Sequence, residues 1–220
     1  MTDPDRPDRE QGTGESPDWL APERLLAFSD GVVAIALTLL VLPLADLVPA
    51  AEEPTDSGLT LITDHLAPIG SFVLSFAVIA RFWAGHHRLF NYAKRVTRTL
   101  VTWNTLWLFT IVVLPFPTEM VGRFPTDPFT LRFYVGTLFA GSALLSVMTV
   151  LVGRTLPVEE RAPMRHATGG TAILLLLIFL VTLVAPGLGY WPLLLLFATA
   201  PVERLIGSIV ERWLKDTPRG

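Results

Sequence analysis

Residues 24–44 read RLLAFSDGVVAIALTLLVLPL, an apolar run that is interrupted by the carboxylate of Asp30 beside Ser29. The run is long enough to cross a bilayer as a helix, which takes about 20 apolar residues. A carboxylate at membrane depth costs about 2.5–3.5 kcal/mol on insertion scales unless another group compensates for it. The stretch therefore predicts a transmembrane helix whose acid is either paired with a partner or part of a pathway.

The composition of the whole chain also indicates a membrane protein. The 220 residues are 51% hydrophobic and only 17% charged, whereas soluble domains carry about 25% charged residues. The chain has no cysteine, which excludes disulfides and thiolate sites. The net charge of −3 gives no argument for a nucleic-acid partner. No nucleophile–base motif, phosphate-binding loop or metal-ligand spacing is present, so we expect no enzyme activity, no cofactor and no resident metal.

Six segments are apolar and long enough to predict an all-α membrane protein with six transmembrane helices. They are Leu25–Val48, Leu61–Trp83, Leu100–Val121, Leu131–Gly153, Thr168–Gly187 and Tyr190–Ile206. Residues 21–208 are expected to form this membrane domain. Residues 1–20 are predicted to be a disordered tail and residues 209–220 a cytoplasmic tail. Pro115 and Pro117 should kink or break the third helix near its outer end.

The basic residues predict the orientation of these segments. All of the 17 Lys and Arg residues except Arg123 and Arg132 fall on one side, which the positive-inside rule makes cytoplasmic, with both termini inside. The loop between the second and third helices is predicted to hold Arg81, Arg88, Lys94, Arg95 and Arg98. A five-helix alternative would place the basic C-terminus outside, which disfavours it. The acidic outer loop over residues 46–64 is either an ordinary solvated loop or a vestibule that attracts cations.

A helical wheel divides the first span into two faces. One face carries the branched groups Ile35, Leu39 and Leu42, with Phe28 and Arg24 on the same side. The other carries Asp30 with Ala34, Leu37 and Val41, and Thr38 falls between the two. The acid face needs polar partners inside the protein, whereas the apolar face can pack on a core, on lipid or on copies of itself around an axis. In an alternative interpretation, Ser29 and Asp30 only cap a helix that starts at Gly31.

Candidate partners for Asp30 lie at a similar depth on the second and third helices. They are Arg81, Trp83, His86, His87, Trp103 and Asn104. Indole, imidazole and amide groups can all satisfy a buried carboxylate. Alternatively, the tryptophans anchor the helices at the membrane interface. The histidines are then interfacial groups without a specific role, or ligands of a metal or haem, for which no second ligand set is evident.

Three motifs in order resemble a known family. The pattern Arg24-x-x-x-Phe28-Ser29-Asp30 followed by GVVAIALTLLVL resembles the first helix of the prokaryotic relatives of the potassium channel transmembrane protein 175. Trp83-x-x-His86-His87-x-x-Phe90 is similar to the end of that family's second helix. Trp103-Asn104 followed by Leu114-Pro115-Phe116-Pro117-Thr118 is similar to its third helix.

The resemblance implies a homotetramer in the bacterial plasma membrane, surrounded by lipid, whose first helices line a central pore for potassium ions. It implies a constriction at Ile35 with further layers at Leu39 and Leu42, and a hydroxyl ring at Thr38 that affects cation preference. It also implies a structural polar cluster of Arg24, Phe28, Ser29 and Asp30 with His87, Trp103 and Asn104 as partners.

Two residues depart from the family pattern. Val33 stands where Phe is common, and Pro43 stands where an acid is common, which removes a possible charge ring at the pore mouth.

The main functional hypothesis is a passive, potassium-preferring channel. The alternative is a proton-coupled transporter that uses Asp30 and His87 as a relay.

Overall fold

The computed structural model describes residues 21–48, 57–157, 173–181 and 184. This part of the chain is entirely helical outside its turns, and it contains no strand. Its helices are α1 (Pro22–Leu39), α2 (Leu42–Ala45), α3 (Gly58–Asp64), α4 (Leu66–Tyr92), α5 (Arg98–Val113), α6 (Pro115–Arg123) and α7 (Pro128–Gly153). Residues 173–181 are also helical. The predicted tails and the predicted sixth span lie outside the described residues.

Four stretches are long and apolar enough to cross a membrane, and they correspond to the first four predicted spans. They are Pro22–Ala45, Leu66–Tyr92, Arg98–Arg123 and Pro128–Gly153. The predicted fifth span is described only at residues 173–181 and 184, where it is helical.

The second span extends nine residues beyond its predicted end. It continues to Tyr92 because the segment after Trp83 contains no proline, and long basic side chains can reach the membrane surface from within a helix. The prediction that Arg81, Arg88 and Arg98 lie in a loop was therefore wrong. The first two lie inside α4, and Arg98 is the first residue of α5.

Proline residues divide two of the spans. The third span breaks as predicted, with α5 ending at Val113 and α6 beginning at Pro115. The first span also breaks, between α1 and α2, which the sequence analysis did not predict. Pro43 has no N–H to donate to the carbonyl of Leu39, so the α-helical ladder is lost at that point.

The core lies where α7 packs against α4, α5 and α6, and α1 packs on α4 and α5. Ile79, Trp107, Tyr134, Leu138 and Met148 are wholly buried there. Glycines allow the helices to approach closely, as small residues do in membrane bundles. A Cβ atom at Gly141 would lie 3.0 Å from Thr110 Oγ1 and 3.1 Å from a ring carbon of Phe82.

We expect Gly141→Ala to destabilise the fold by about 1–3 kcal/mol, because the added methyl overpacks the contact between α5 and α7. Gly70→Ala is the matched control, since a Cβ atom there meets nothing within 4 Å. The control should leave stability unchanged or raise it by about 0.5–1 kcal/mol through helix propensity. Thermal unfolding of both purified variants checks the opposite signs, and equal shifts would contradict the close packing.

Asp127 fixes the beginning of α7. Its Oδ2 accepts hydrogen bonds from the backbone N–H and the hydroxyl of Thr130, each at 2.8 Å. These bonds favour the ionised carboxylate and hold the pKa of Asp127 below its ordinary value. The cap is therefore complete above the ordinary pKa of aspartate and is lost as the pH falls through the lowered one.

Candidate functional site

The face of α1 that packs into the subunit centres on Ser29. Ser29, Val33, Ala36 and Leu40 are almost completely buried, and their spacing follows one side of a helix. The prediction that the inner face carries Asp30, Ala34 and Val41 was wrong for the last two, which are exposed. The packed face lies about 100° further round the helix, because it is set by the small and apolar side chains.

Since α1 begins at Pro22, the alternative in which Ser29 and Asp30 cap a helix starting at Gly31 is excluded. Both residues lie inside a continuous helix. The Ser29 hydroxyl donates to the carbonyl of Leu25 at 2.8 Å, one turn earlier in the same helix.

A buried chain of hydrogen bonds links α4, α5 and α1. His86 Nε2 lies 2.7 Å from Asn104 Oδ1, and Asn104 Nδ2 donates to Ser29 Oγ at 3.0 Å. His86, Asn104 and Ser29 are all 0% exposed. An amide oxygen only accepts, so His86 must carry its proton on Nε2. The direction of every bond is then fixed, and the chain ends on the carbonyl of Leu25.

Aromatic rings hold His86 in this position. Its imidazole stacks on Trp107, with ring centroids 4.3 Å apart and planes 7° from parallel, and it also contacts Phe90. Neither His86 Nδ1 nor Trp107 Nε1 has a hydrogen-bond partner within the described part of the chain. The rings therefore position the imidazole by packing, and the single bond to Asn104 sets its rotation.

Asp30 lies at the edge of the packed face, and its side chain is 37% exposed. Its Oδ1 accepts a hydrogen bond of 2.8 Å from the indole N–H of Trp83. Its Oδ2 lies 4.0 Å from His87 Nδ1, which is too long for a hydrogen bond. The hydrogen bond from Trp83 therefore holds the Asp30 carboxylate in place, and His87 lies close to it without forming a hydrogen bond.

The other residues of the predicted polar cluster have different surroundings. Asn104 bonds to Ser29 and not to Asp30. Trp103 is half-buried and packs on the core, and its indole makes no hydrogen bond among the described residues. Arg24 and Phe28 are exposed on the opposite side of α1, with Phe28 at 61%. The hydrogen bonds of the described cluster therefore link α1, α4 and α5 in all three pairs, and Arg24 and Phe28 lie outside the cluster.

The residues predicted to line a pore are exposed in the single subunit. Ile35 is 61%, Leu42 55% and Leu39 40% exposed. Thr38 is exposed as well, and its hydroxyl donates to the carbonyl of Ile35 at 2.7 Å. The hydroxyl proton of Thr38 is therefore already used in a hydrogen bond within the helix, and the lone pairs of its oxygen remain available to a cation.

Sequence reasoning missed the central positions of His86 and Trp107. The signal was present in the period of α4, whose buried residues are Ser71, Ser75, Val78, Ile79, Phe82, His86, Leu89 and Phe90. That series follows one face of a helix and includes His86 but not His87. Within the described residues no group of three or more His, Asp or Glu side chains is placed to hold a metal ion.

A second buried polar cluster was also missed. Ser75 Oγ lies 2.9 Å from Tyr134 Oη and 2.8 Å from Thr118 Oγ1. All three side chains are buried, and they join α4, α6 and α7. The cluster holds the short helix α6, which the proline break separates from α5, against the rest of the bundle.

Comparison with known proteins identifies relatives of the first half of the chain. Residues 24–115 match the family model described as endosomal/lysosomal potassium channel TMEM175. A potassium channel of Streptomyces collinus is 41% identical over 102 residues, which are 46% of this chain and 48% of that protein. A potassium channel of Chamaesiphon minutus is 37% identical over 115 residues, 52% of this chain and 56% of that protein. The matched region thus spans about half the length of these relatives.

A human relative is named an endosomal/lysosomal proton channel, TMEM175. It is 34% identical over 114 residues, 50% of this chain and 23% of that protein.

Solved structures match over most of the chain. A lysosomal potassium-selective channel TMEM175 homologue from Chamaesiphon minutus superposes with a TM-score of 0.72 at 25% identity, covering 83% of this chain and 97% of that one. The T38A variant of the potassium channel MtTMEM175 superposes with a TM-score of 0.57 at 20% identity, covering 86% and 93%, and shows a shared fold. Because four stretches of its described residues are long and apolar enough to cross a membrane, the chain is a multi-pass membrane protein. The sequence match over residues 24–115, the three motifs and the shared fold make this chain similar to the TMEM175 channels.

Proposed function

We propose that this protein is a passive, potassium-preferring cation channel, a homotetramer in which α1 of each subunit lines a central pore. The observation that carries the proposal is an exposed apolar face, formed by Ile35 and Leu39 of α1 and continued by Leu42 at the start of α2. This face lies away from the packed face of the same helix, so it is free to meet copies of itself. The names of the two bacterial relatives support potassium as the permeant ion.

The narrowest point of the proposed pore is a ring of Ile35 side chains. Aliphatic groups supply no dipoles to replace the hydration shell of an ion, so such a ring gates by excluding water and selects only modestly between cations. The hydroxyl of Thr38, one turn outward, is the nearest group that can contact a partly dehydrated ion. Pro43 supplies no charge at the outer mouth, which also favours modest selectivity.

Asp30 has a structural role in this proposal. It lies about 140° from Ile35 around the helix axis, and it is held by Trp83 of α4. Together with the buried chain through Ser29 and Asn104, this contact sets the rotation of α1 about its own axis. The pore-facing residues are oriented as a consequence.

The proposed topology has six transmembrane helices per subunit and both termini in the cytoplasm, in a bacterial plasma membrane. The distribution of basic residues supports it. The protein is proposed to need no cofactor and to contact only lipid, other copies of itself and the ions that pass.

Flux through purified protein in liposomes tests this function. We expect potassium to pass down its own gradient, faster than sodium, in the absence of any pH difference across the membrane. Liposomes without protein are the control for leak. Flux that requires an imposed proton gradient would contradict a passive channel.

The second candidate is a proton-coupled transporter in which Asp30 and His87 form a relay. The two side chains lie 4.0 Å apart and are both partly exposed, so a small side-chain movement brings them within the hydrogen-bond distance that a relay needs. The human relative's name as a proton channel is compatible with proton movement in the family. Asp30→Asn separates the two candidates, because it should abolish proton-driven transport and should leave passive potassium flux measurable in any preparation that remains assembled.

A further inference from the structure

The turn between α4 and α5 carries a concentration of positive charge that no described residue neutralises. Residues 65–118 contain no Asp or Glu. Lys94, Arg95 and Arg98, which we call the basic turn, are all exposed. Within the described part of the chain, no carboxylate lies within 4.0 Å of any of them, and the ion pairs found there involve other residues.

The fold brings these charges together at one end of the bundle. Only residues 93–97 separate the two helices, so Lys94 and Arg95 lie in one short connection and Arg98 follows it directly as the first residue of α5. Thr97 caps α5 by accepting a hydrogen bond from Leu100 N at 3.1 Å, which places the positive end of the α5 dipole at the same turn. Arg88, one helical turn before Tyr92, is also exposed and adds a fourth cation.

The neighbouring side chains mark this end of the bundle as a membrane surface. Tyr92, the last residue of α4, is 43% exposed, and exposed tyrosines settle at the headgroup level of a bilayer. Both flanking helices are long and apolar enough to span the membrane. A molecule that meets the basic turn is therefore held at the depth of lipid headgroups.

We propose that the basic turn binds the phosphate-bearing headgroups of anionic phospholipids. The inference rests on the proposed placement of the spans across the membrane. Juxtamembrane Lys and Arg residues each strengthen attachment to an anionic surface by about fivefold in affinity. Basic residues at this position also orient the spans during insertion, but orientation alone requires no bound lipid.

The test is native mass spectrometry of the purified full-length protein in detergent, titrated with phosphatidylglycerol or with phosphatidylcholine. Measurement on purified protein avoids any change of topology that loss of charge would cause in a cell. We expect the triple variant Lys94→Gln/Arg95→Gln/Arg98→Gln to bind phosphatidylglycerol about 100-fold more weakly, from fivefold per residue. Its binding of phosphatidylcholine should not change.

Two controls make the result specific. The charge-preserving variant Lys94→Arg/Arg95→Lys/Arg98→Lys should bind phosphatidylglycerol as the parent does. Arg123→Gln removes a cation that already pairs with Glu119 at 2.7 Å, and it should have no effect on lipid binding.

Unchanged phosphatidylglycerol affinity in the Gln triple variant would overturn the proposal. So would an equal loss in the charge-preserving variant, or displacement of the lipid by the same concentration of inorganic phosphate. Lipid binding does not depend on conduction. Potassium flux through the same preparations in phosphatidylcholine liposomes therefore reports separately on the proposed channel function.

Discussion

Replacement of Ile35 by Asn is expected to raise potassium flux through the reconstituted protein by about tenfold, equivalent to a barrier about 1.4 kcal/mol lower. Asn is close to Ile in size but carries an amide, so a ring of four such groups holds water where the aliphatic ring excludes it. Sodium should gain more than potassium, because its stronger hydration no longer has to be removed. The measurement is the rate of each cation's flux into liposomes at equal protein density.

Val112→Asn is the matched control for this experiment. Val112 is 49% exposed on α5, so the same amide is introduced at an exposed apolar position that the proposal places outside the pore. We expect the control to conduct as the parent protein does. If Ile35→Asn leaves both flux and cation preference unchanged while the protein remains assembled, Ile35 does not form the constriction.

Replacement of Asn104 by Leu is expected to destabilise the subunit by about 2–6 kcal/mol. It leaves the His86 Nε2–H without an acceptor and removes the donor to Ser29, and each loss costs about 1–3 kcal/mol in a buried site. The apolar side chain has similar size, so packing changes little. Thermal unfolding in detergent, followed by tryptophan fluorescence and by gel filtration, measures the loss of fold and of assembly.

Asn91→Leu is the corresponding control, since Asn91 is exposed in the last turn of α4. It should shift the unfolding temperature by little. A double-mutant cycle with Ser29→Ala then isolates the bond between the two buried side chains. Additive effects of Ser29→Ala and Asn104→Leu would refute the coupling that the 3.0 Å distance indicates.

The first four spans could be predicted from the sequence, because apolar length alone decides them. The break at Pro115 was equally visible, since a proline inside a helix removes a hydrogen bond wherever it occurs. The same rule applied to Pro43 would have predicted the break between α1 and α2. That break was missed because the apolar run continues through the proline.

The inner face of α1 was assigned wrongly for a physical reason. The prediction centred the buried side on Asp30, the group whose burial costs the most free energy, whereas the packing centres on Ser29 and places Asp30 at the edge. The desolvation cost of a carboxylate is lower at a partly exposed edge, where water and one indole N–H can bond to it, than in the centre of the core. Trp83, His86 and His87 on α4 could each donate a hydrogen bond to Asp30. The rotation of α4 about its axis decides which of them does, and no pattern in a single sequence reports that rotation.

The amide of Asn104 has one more consequence, which concerns protons and not stability. A proton can pass along a row of hydrogen-bonded groups only where the atom that receives it, or one conjugated and equivalent to it, can release another. Asn104 accepts at oxygen and donates from nitrogen, so a proton that passed from His86 to Ser29 would leave the amide as its much less stable imidic-acid tautomer. The polar row that ties three helices together inside the subunit is therefore a poor path for protons, and its bonds hold the helices without carrying charge between them.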